Sequence, residues 1–118
     1  MAANQRKAAA HSRGTTGEHE TAEWYRREGY DILERNWRCF EGEIDIIARR
    51  GSTLVICEVK ARKSARLIDP ALAVSHSKQT KVRTAAFRWL EQNRHAGHLR
   101  FDVALVVNDN VRVLEAAF

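Results

Sequence analysis

The sequence predicts an α/β domain in which helices flank a mixed, twisted β-sheet. Three observations lead there. Short apolar-rich runs recur at 30–38, 43–49 and 53–60, joined by brief turns. A long stretch, Ser75 to Asn93, carries its apolar residues at helical spacing. It is followed by a near-continuous apolar run, "RFDVALVV" at 100–107, which reads as a further strand.

The elements follow in order. Residues 1–16, rich in Ala, Arg, Lys, Ser and Thr, read as a flexible basic arm, and residues 17–118 as a single domain. A first helix is expected from about Glu18 to Glu28, with Thr15 or Thr16 as N-cap and Gly29 as its stop. "YDILERNWR" (30–38), 43–49 and 53–60 form three strands, with "GS" as the second turn. "ARKSARLIDPALA" (61–73), broken by Pro70, reads as a loop. The second helix buries Val82, Ala85, Ala86, Trp89 and Leu90 at the i, i+3, i+4, i+7 positions of one face. "HAGH" ends it, the strand at 100–107 follows, and "NDN" turns the chain into a last strand, "VRVLEA". The order is therefore α-β-β-β-α-β-β. Three strands with short links should pair antiparallel, and the strand reached through the helix should run parallel to the third. That places the third strand in the sheet interior.

Composition narrows the function classes. Twenty Lys and Arg against 15 Asp and Glu leave a charge of +5, which favours a polyanionic partner such as nucleic acid. Cys39 and Cys57 have no zinc-site spacing, and Cys57 lies in an apolar strand as a reduced core thiol would. No apolar run approaches a membrane span, and the N-terminus lacks an apolar signal core. These features predict a cytoplasmic protein without a membrane partner. A glycine-rich phosphate loop and a Ser/His/Asp triad are both lacking, which argues against nucleoside-triphosphate and serine-hydrolase chemistry. The pair His95-x2-His98 reads as part of a surface turn.

The third strand holds the chemical signal. After Leu54, Val55, Ile56 and Cys57 it spends two interior positions on Glu58 and Lys60, although charged side chains are rarely buried without partners. Alternation sends Val55, Cys57 and Val59 to one face, and Leu54, Ile56, Glu58 and Lys60 to the other. In the second strand it sends Ile44, Ile46 and Ala48 one way, and Glu43, Asp45 and Ile47 the other. In a hairpin of the two, Asp45 can lie beside Glu58. Two adjacent carboxylates repel unless a cation lies between them, and Mg²⁺ is commonly held by one or two carboxylates with water and phosphate oxygens. Lys60 would then orient or deprotonate a metal-bound water, or stabilise charge on the phosphate. On the first helix, Glu18 lies one turn before Ala22 on the stripe that includes Tyr25. It is either an inward-facing fourth member or a plain first-turn acid favoured by the helix dipole.

These residues resemble a known family. "GEIDIIA", "VICEVKAR", the preceding "GY.ILERNWR", Gly17–Glu18, "RFDVALVV" and the terminal "AF" are similar to the YraN family over nearly all of 17–118. That family is similar to nucleases of the PD-(D/E)xK superfamily, nearest to Holliday-junction resolvases. The resemblance implies a restriction-endonuclease-like fold, Asp45 and Glu58 as ligands of Mg²⁺ or Mn²⁺, Lys60 as the catalytic lysine, and Glu18 as the helix acid. Glu43, Asn36 and Arg38 match the family's motif as well. Two departures stand out: Ile44 occupies the position of the superfamily's proline, and "SARLIDPALAV" lacks the usual glycine.

The basic residues Arg38, Arg62, Lys63, Lys78 and Lys81 are candidates for nucleic-acid backbone contacts, and Trp37 for base stacking. The function implied is metal-dependent endonucleolytic hydrolysis of DNA, branched or otherwise structured, by a protein that would pair as a homodimer. The alternative is a non-catalytic nucleic-acid-binding protein that retains the fold. In a third reading, Asp45, Glu58 and Lys60 form only a structural ion-pair network.

Overall fold

The structure is a computed structural model that describes residues 17–63 and 73–118. The arm expected over 1–16 and most of the loop expected over 61–73 lie outside the described residues. The first helix, α1, spans 17–27. It stops as the sequence requires. Gly29 adopts φ +88°, its N–H reaches Arg26 O at 3.0 Å, and the Tyr30 N–H reaches Tyr25 O at 2.9 Å. This is a Schellman motif, and the Tyr25 and Tyr30 rings supply its apolar contact, edge to face at 5.2 Å.

Five strands follow in one sheet: β1 (Asp31–Cys39), β2 (Gly42–Arg50), β3 (Thr53–Arg62), β4 (His98–Val107) and β5 (Asn110–Leu114). The spatial order equals the sequence order, β1-β2-β3-β4-β5. β1–β2, β2–β3 and β4–β5 pair antiparallel, and β3–β4 pair parallel across the helix α2 (His76–Gln92). β3 is thus the middle strand of the mixed sheet, as expected. It runs two residues further than expected, because Ala61 and Arg62 stay in register with Val106 and Val107. Asn108 and Asp109 both take positive φ, 49° and 67°, the conformation that a two-residue hairpin demands.

Each face of the sheet is covered by one helix. Ala22 and Tyr25 of α1 pack with Ile46, Ala48, Val55, Cys57 and Ala104. Val82, Ala85, Ala86 and Trp89 of α2 pack with Ile44, Ile47, Leu54, Ile56 and Phe101. The helix stripe read from the sequence is therefore the buried face of α2, with Leu90 packed at its margin. Trp37 and Trp24 are half-buried against these clusters, so the Trp37 ring, the candidate for base stacking, also takes part in the packing.

Simple alternation misplaces one residue of β2. Ile44 joins the α2 side, whereas Ile46 and Ala48 face α1. The pleat breaks between them, at Asp45. The register with β3 ends at Ile46↔Cys57, and Asn36, between the pairs Arg35↔Ile46 and Trp37↔Ile44, adopts φ +53°. Both strands leave regular geometry at the position where the candidate acid sits. Asparagine tolerates that left-handed conformation better than most residues.

Among the described residues no helix is long and apolar enough to cross a membrane.

Candidate functional site

Where β2 and β3 part, a carboxylate takes over from the sheet. The Val59 N–H donates to Asp45 Oδ2 at 2.8 Å, replacing the carbonyl that a continued ladder would have offered. This bond fixes the Asp45 carboxylate between the two strands, one residue along from Glu58. Glu58 is 4% exposed. Its side chain leaves β3 on the same face as Leu54 and Ile56, towards the N-terminal end of α2.

Two ammonium groups meet Glu58 there. Lys60 Nζ and Lys78 Nζ each lie 3.7 Å from Oε1. Oε2 is buried and has no hydrogen-bond partner among the described residues. Burial, reinforced by the Asp45 charge, pushes the Glu58 carboxyl up to about 7. Asp45 is also raised, by burial first, against the opposing pull of the Val59 N–H. The two ammonium groups thus offset the burial of the pair only in part, and Oε2 is left without a partner. Native structures leave few buried polar atoms unpaired, and such atoms mark strain, catalysis or an ion.

α1 brings in Glu18. Gly17 lies against the end of β3, where an added Cβ would stand 3.3 Å from the Ala61 Cβ; the helix therefore starts directly on the sheet. The half-buried Glu18 carboxyl is raised by burial, opposed by a hydrogen bond from the Asn36 side chain, and raised further by the Asp45 charge. Glu18, at the N-terminus of α1, is half-buried rather than fully exposed. Asn36, which lowers the Glu18 pKa, itself adopts φ +53°. Strained backbone of this kind tends to cluster at working sites.

The expected basic contacts divide by position. Lys78 belongs to the site itself. Lys81, exposed, packs its Cβ 3.5 Å from where a Cβ on Gly42 would stand, which sets it at the β1–β2 turn. Arg38 is exposed and lies 3.6 Å from Glu43. Arg62 and Lys63 are exposed beyond Lys60. They line a depression next to α1 with Gly17, Ala61, Val106, Asn108 and Asp109. Arg49 and Arg50, in contrast, stand at the far end of β2. There Arg50 donates to Glu28 O at 2.8 Å and covers the Tyr30 ring at 4.4 Å, which caps the C-terminal end of α1.

The described residues contain no group of three His, Cys, Asp or Glu side chains able to enclose a metal. What they offer is the Asp45–Glu58 pair. That set fits Mg²⁺ or Mn²⁺, which accept one or two carboxylates and complete their shell with water and substrate phosphate. The unpartnered Glu58 Oε2 fits it as well. A closed structural zinc site is incompatible with it.

The sequence reading passed over a second buried acid. Asp102 on β4 is fully buried. Arg100 grips it through two bonds of 2.9 Å, Tyr25 OH donates to it at 2.7 Å, and the Ala116 N–H at 3.0 Å. Arg100 also donates to Tyr30 OH at 3.0 Å. The signal was the one that exposed Glu58, a lone acid in an apolar strand. Here every acceptor position is filled, and the network ties α1, β4 and the C-terminal segment together.

Comparison with known proteins places the chain. Residues 17–106 match the model of the uncharacterised protein family UPF0102. A UPF0102 protein of Beutenbergia cavernae is 44% identical over 95 residues, covering 80% of each chain. One from Frankia casuarinae is 46% identical over 94 residues, covering 79% of this chain and 80% of its own. One from Persephonella marina is 39% identical over 107 residues, covering 90% of this chain and 92% of its own.

Proposed function

The chain belongs to the UPF0102 family, and from its convergent acids we propose that it is a Mg²⁺- or Mn²⁺-dependent endonuclease that hydrolyses phosphodiester bonds of DNA. The observation that carries this reading is the pairing of half-buried Asp45 with buried Glu58, which has an unpartnered carboxylate oxygen and Lys60 alongside. Asp45 and Glu58 would hold the ion, which supplies Lewis acidity to the scissile phosphate.

The chain's own residues do the rest. The Val59 N–H holds Asp45 in place, so the acid need not reorganise when the ion arrives. Lys60 steadies a negative phosphate oxygen next to Glu58 and stabilises charge as it develops. Glu18, half-buried at the start of α1, is near enough to feel the Asp45 charge. Arg38, Arg62, Lys63 and Lys81 border the site with exposed positive charge suited to a DNA backbone. The family resemblance points to branched or structured DNA as a substrate class to compare with plain duplex, and a homodimer would supply two such sites for paired cuts.

One observation favours a binding-only module. Glu58 already has two ammonium partners without metal, as a structural ion-pair network would. The readings separate in a cleavage panel of single-stranded, duplex, flap and four-way-junction DNAs, run with Mg²⁺, Mn²⁺ or EDTA. Metal-dependent cutting by the wild type that is lost in Asp45→Ala and Lys60→Ala supports the nuclease. DNA binding without cutting, equal in all three proteins and indifferent to EDTA, supports the binding module.

A further inference from the structure

Lys78 stands apart from the other basic residues around the site. It comes from α2, not the sheet, yet its ammonium lies on the same Glu58 oxygen as that of Lys60, at the same 3.7 Å. Its field also acts on Asp45. Lys60 is held at the end of the central strand and is 23% exposed, whereas Lys78 is 39% exposed and swings on four methylenes from the first turn of a helix. The Ser75 side chain, as N-cap, accepts the Lys78 N–H at 3.2 Å. The backbone under the lysine is therefore fixed, while its side chain stays partly exposed and is held at its tip by Glu58. The first turn of α2 carries no acid, so Lys78 has no competing partner on its own helix.

Resting on the metal-site reading above, we propose that Lys78 is a resident counter-cation of the Asp45–Glu58 pair: it neutralises the carboxylates while no metal is bound, yields to the divalent ion, and is then released towards substrate phosphate. A monovalent ammonium on a flexible stem is displaced by a dication that binds both carboxylates, because the dication's attraction to the pair is larger at equal distance. The displaced lysine remains within reach of an anion brought to the same place. One side chain thus serves two successive anionic partners, and metal loading and substrate affinity become linked.

The test is titration of Mn²⁺, followed by calorimetry and by the loss of the free-Mn²⁺ paramagnetic signal, into wild type, Lys78→Met, Lys78→Arg and Asp45→Asn without DNA. Urea unfolding would confirm that each variant is folded. If Lys78 competes with the ion, Lys78→Met binds Mn²⁺ roughly threefold to tenfold more tightly than wild type. Lys78→Arg, with the charge kept, stays near wild type, and Asp45→Asn binds weakly. Lys78→Met should also lose DNA affinity in Mn²⁺ more than in EDTA, because the lysine is free for phosphate only after displacement. Unchanged or weaker Mn²⁺ binding in Lys78→Met, with binding lost in Asp45→Asn, overturns the counter-cation role and leaves the metal site standing. No Mn²⁺ binding by folded wild type or folded Lys78→Met overturns both.

Discussion

Asp45 accepts the main-chain N–H of Val59 at 2.8 Å, across the point where β2 and β3 cease to pair. A side chain has replaced a ladder bond, so the acid is as fixed as the sheet itself. The neighbouring Glu58 lacks such an anchor for Oε2. One carboxylate is thus positioned by the fold, and the other is buried with capacity to spare.

This relationship makes two substitutions at Asp45 diverge. Asp45→Asn keeps an acceptor for Val59 and removes the charge that opposes Glu58. It should raise stability in EDTA at pH 8 by about 1 kcal/mol, as relieved active sites commonly do, while abolishing metal-dependent cleavage. Asp45→Ala leaves the Val59 N–H without its acceptor and should be less stable than Asp45→Asn by about 1–3 kcal/mol. Urea titration of the two variants checks the difference.

Glu58 sets a pH dependence. Its carboxyl ordinarily titrates near 4.5, and in the fold it is pushed up to about 7. Between those values the folded chain holds a proton that the unfolded chain has lost, so without metal, stability should fall as pH rises from about 4.5 through 7. Glu58→Gln should flatten that part of the profile. Metal binding has the opposite sign, because the ion needs the charged form. Mn²⁺ should raise Tm strongly at pH 8 and weakly at pH 5.5, which thermal unfolding at both pH values measures.

Asp102 predicts stability without chemistry. Asp102→Ala strands Arg100, the Tyr25 hydroxyl and the Ala116 N–H together. Breaking a buried pair from one side costs roughly 3–5 kcal/mol. Calorimetric or urea unfolding should show that loss, while Mn²⁺ affinity of the protein still folded stays within about twofold of wild type.

The basic residues should sort by location. Lys63→Ala and Arg62→Ala, next to the site, should each weaken DNA binding evenly across sequences and reduce the salt slope by about 1. Arg50→Ala, at the far end of β2 on Glu28 and Tyr30, should leave the slope unchanged and lower stability instead. Filter binding from low to moderate salt distinguishes the two.

The sequence carried most of the frame because its signals were local. Gly29 after an amphipathic run ended α1, Ser75 began α2, and the helix stripe Val82, Ala85, Ala86 and Trp89 was legible from spacing alone. Glu58 and Lys60 stood out because a central strand seldom buries charge. Other features were not legible for a shared physical reason. The face of Ile44 depends on the pleat break at Asp45 and Asn36, which exists only once three strands are assembled. The approach of Lys78 to Glu58 joins residues on different layers, and no periodicity within either element encodes it. Asp102 was legible in principle. Its partners are Tyr25, some 77 positions away, and Arg100, two positions away; the nearer one shares its strand face and could have been read from alternation.

The central claim is that Asp45 and Glu58 hold a divalent ion, and it can be tested without knowing the substrate. Crystals grown in Mn²⁺ and measured at a wavelength where manganese scatters anomalously would locate the ion directly. The account predicts one anomalous peak about 2.0–2.3 Å from an Asp45 carboxylate oxygen and from Glu58 Oε2, with Lys78 withdrawn from Glu58. A map with no peak there, and with Lys60 and Lys78 still resting on Glu58 Oε1, would contradict it.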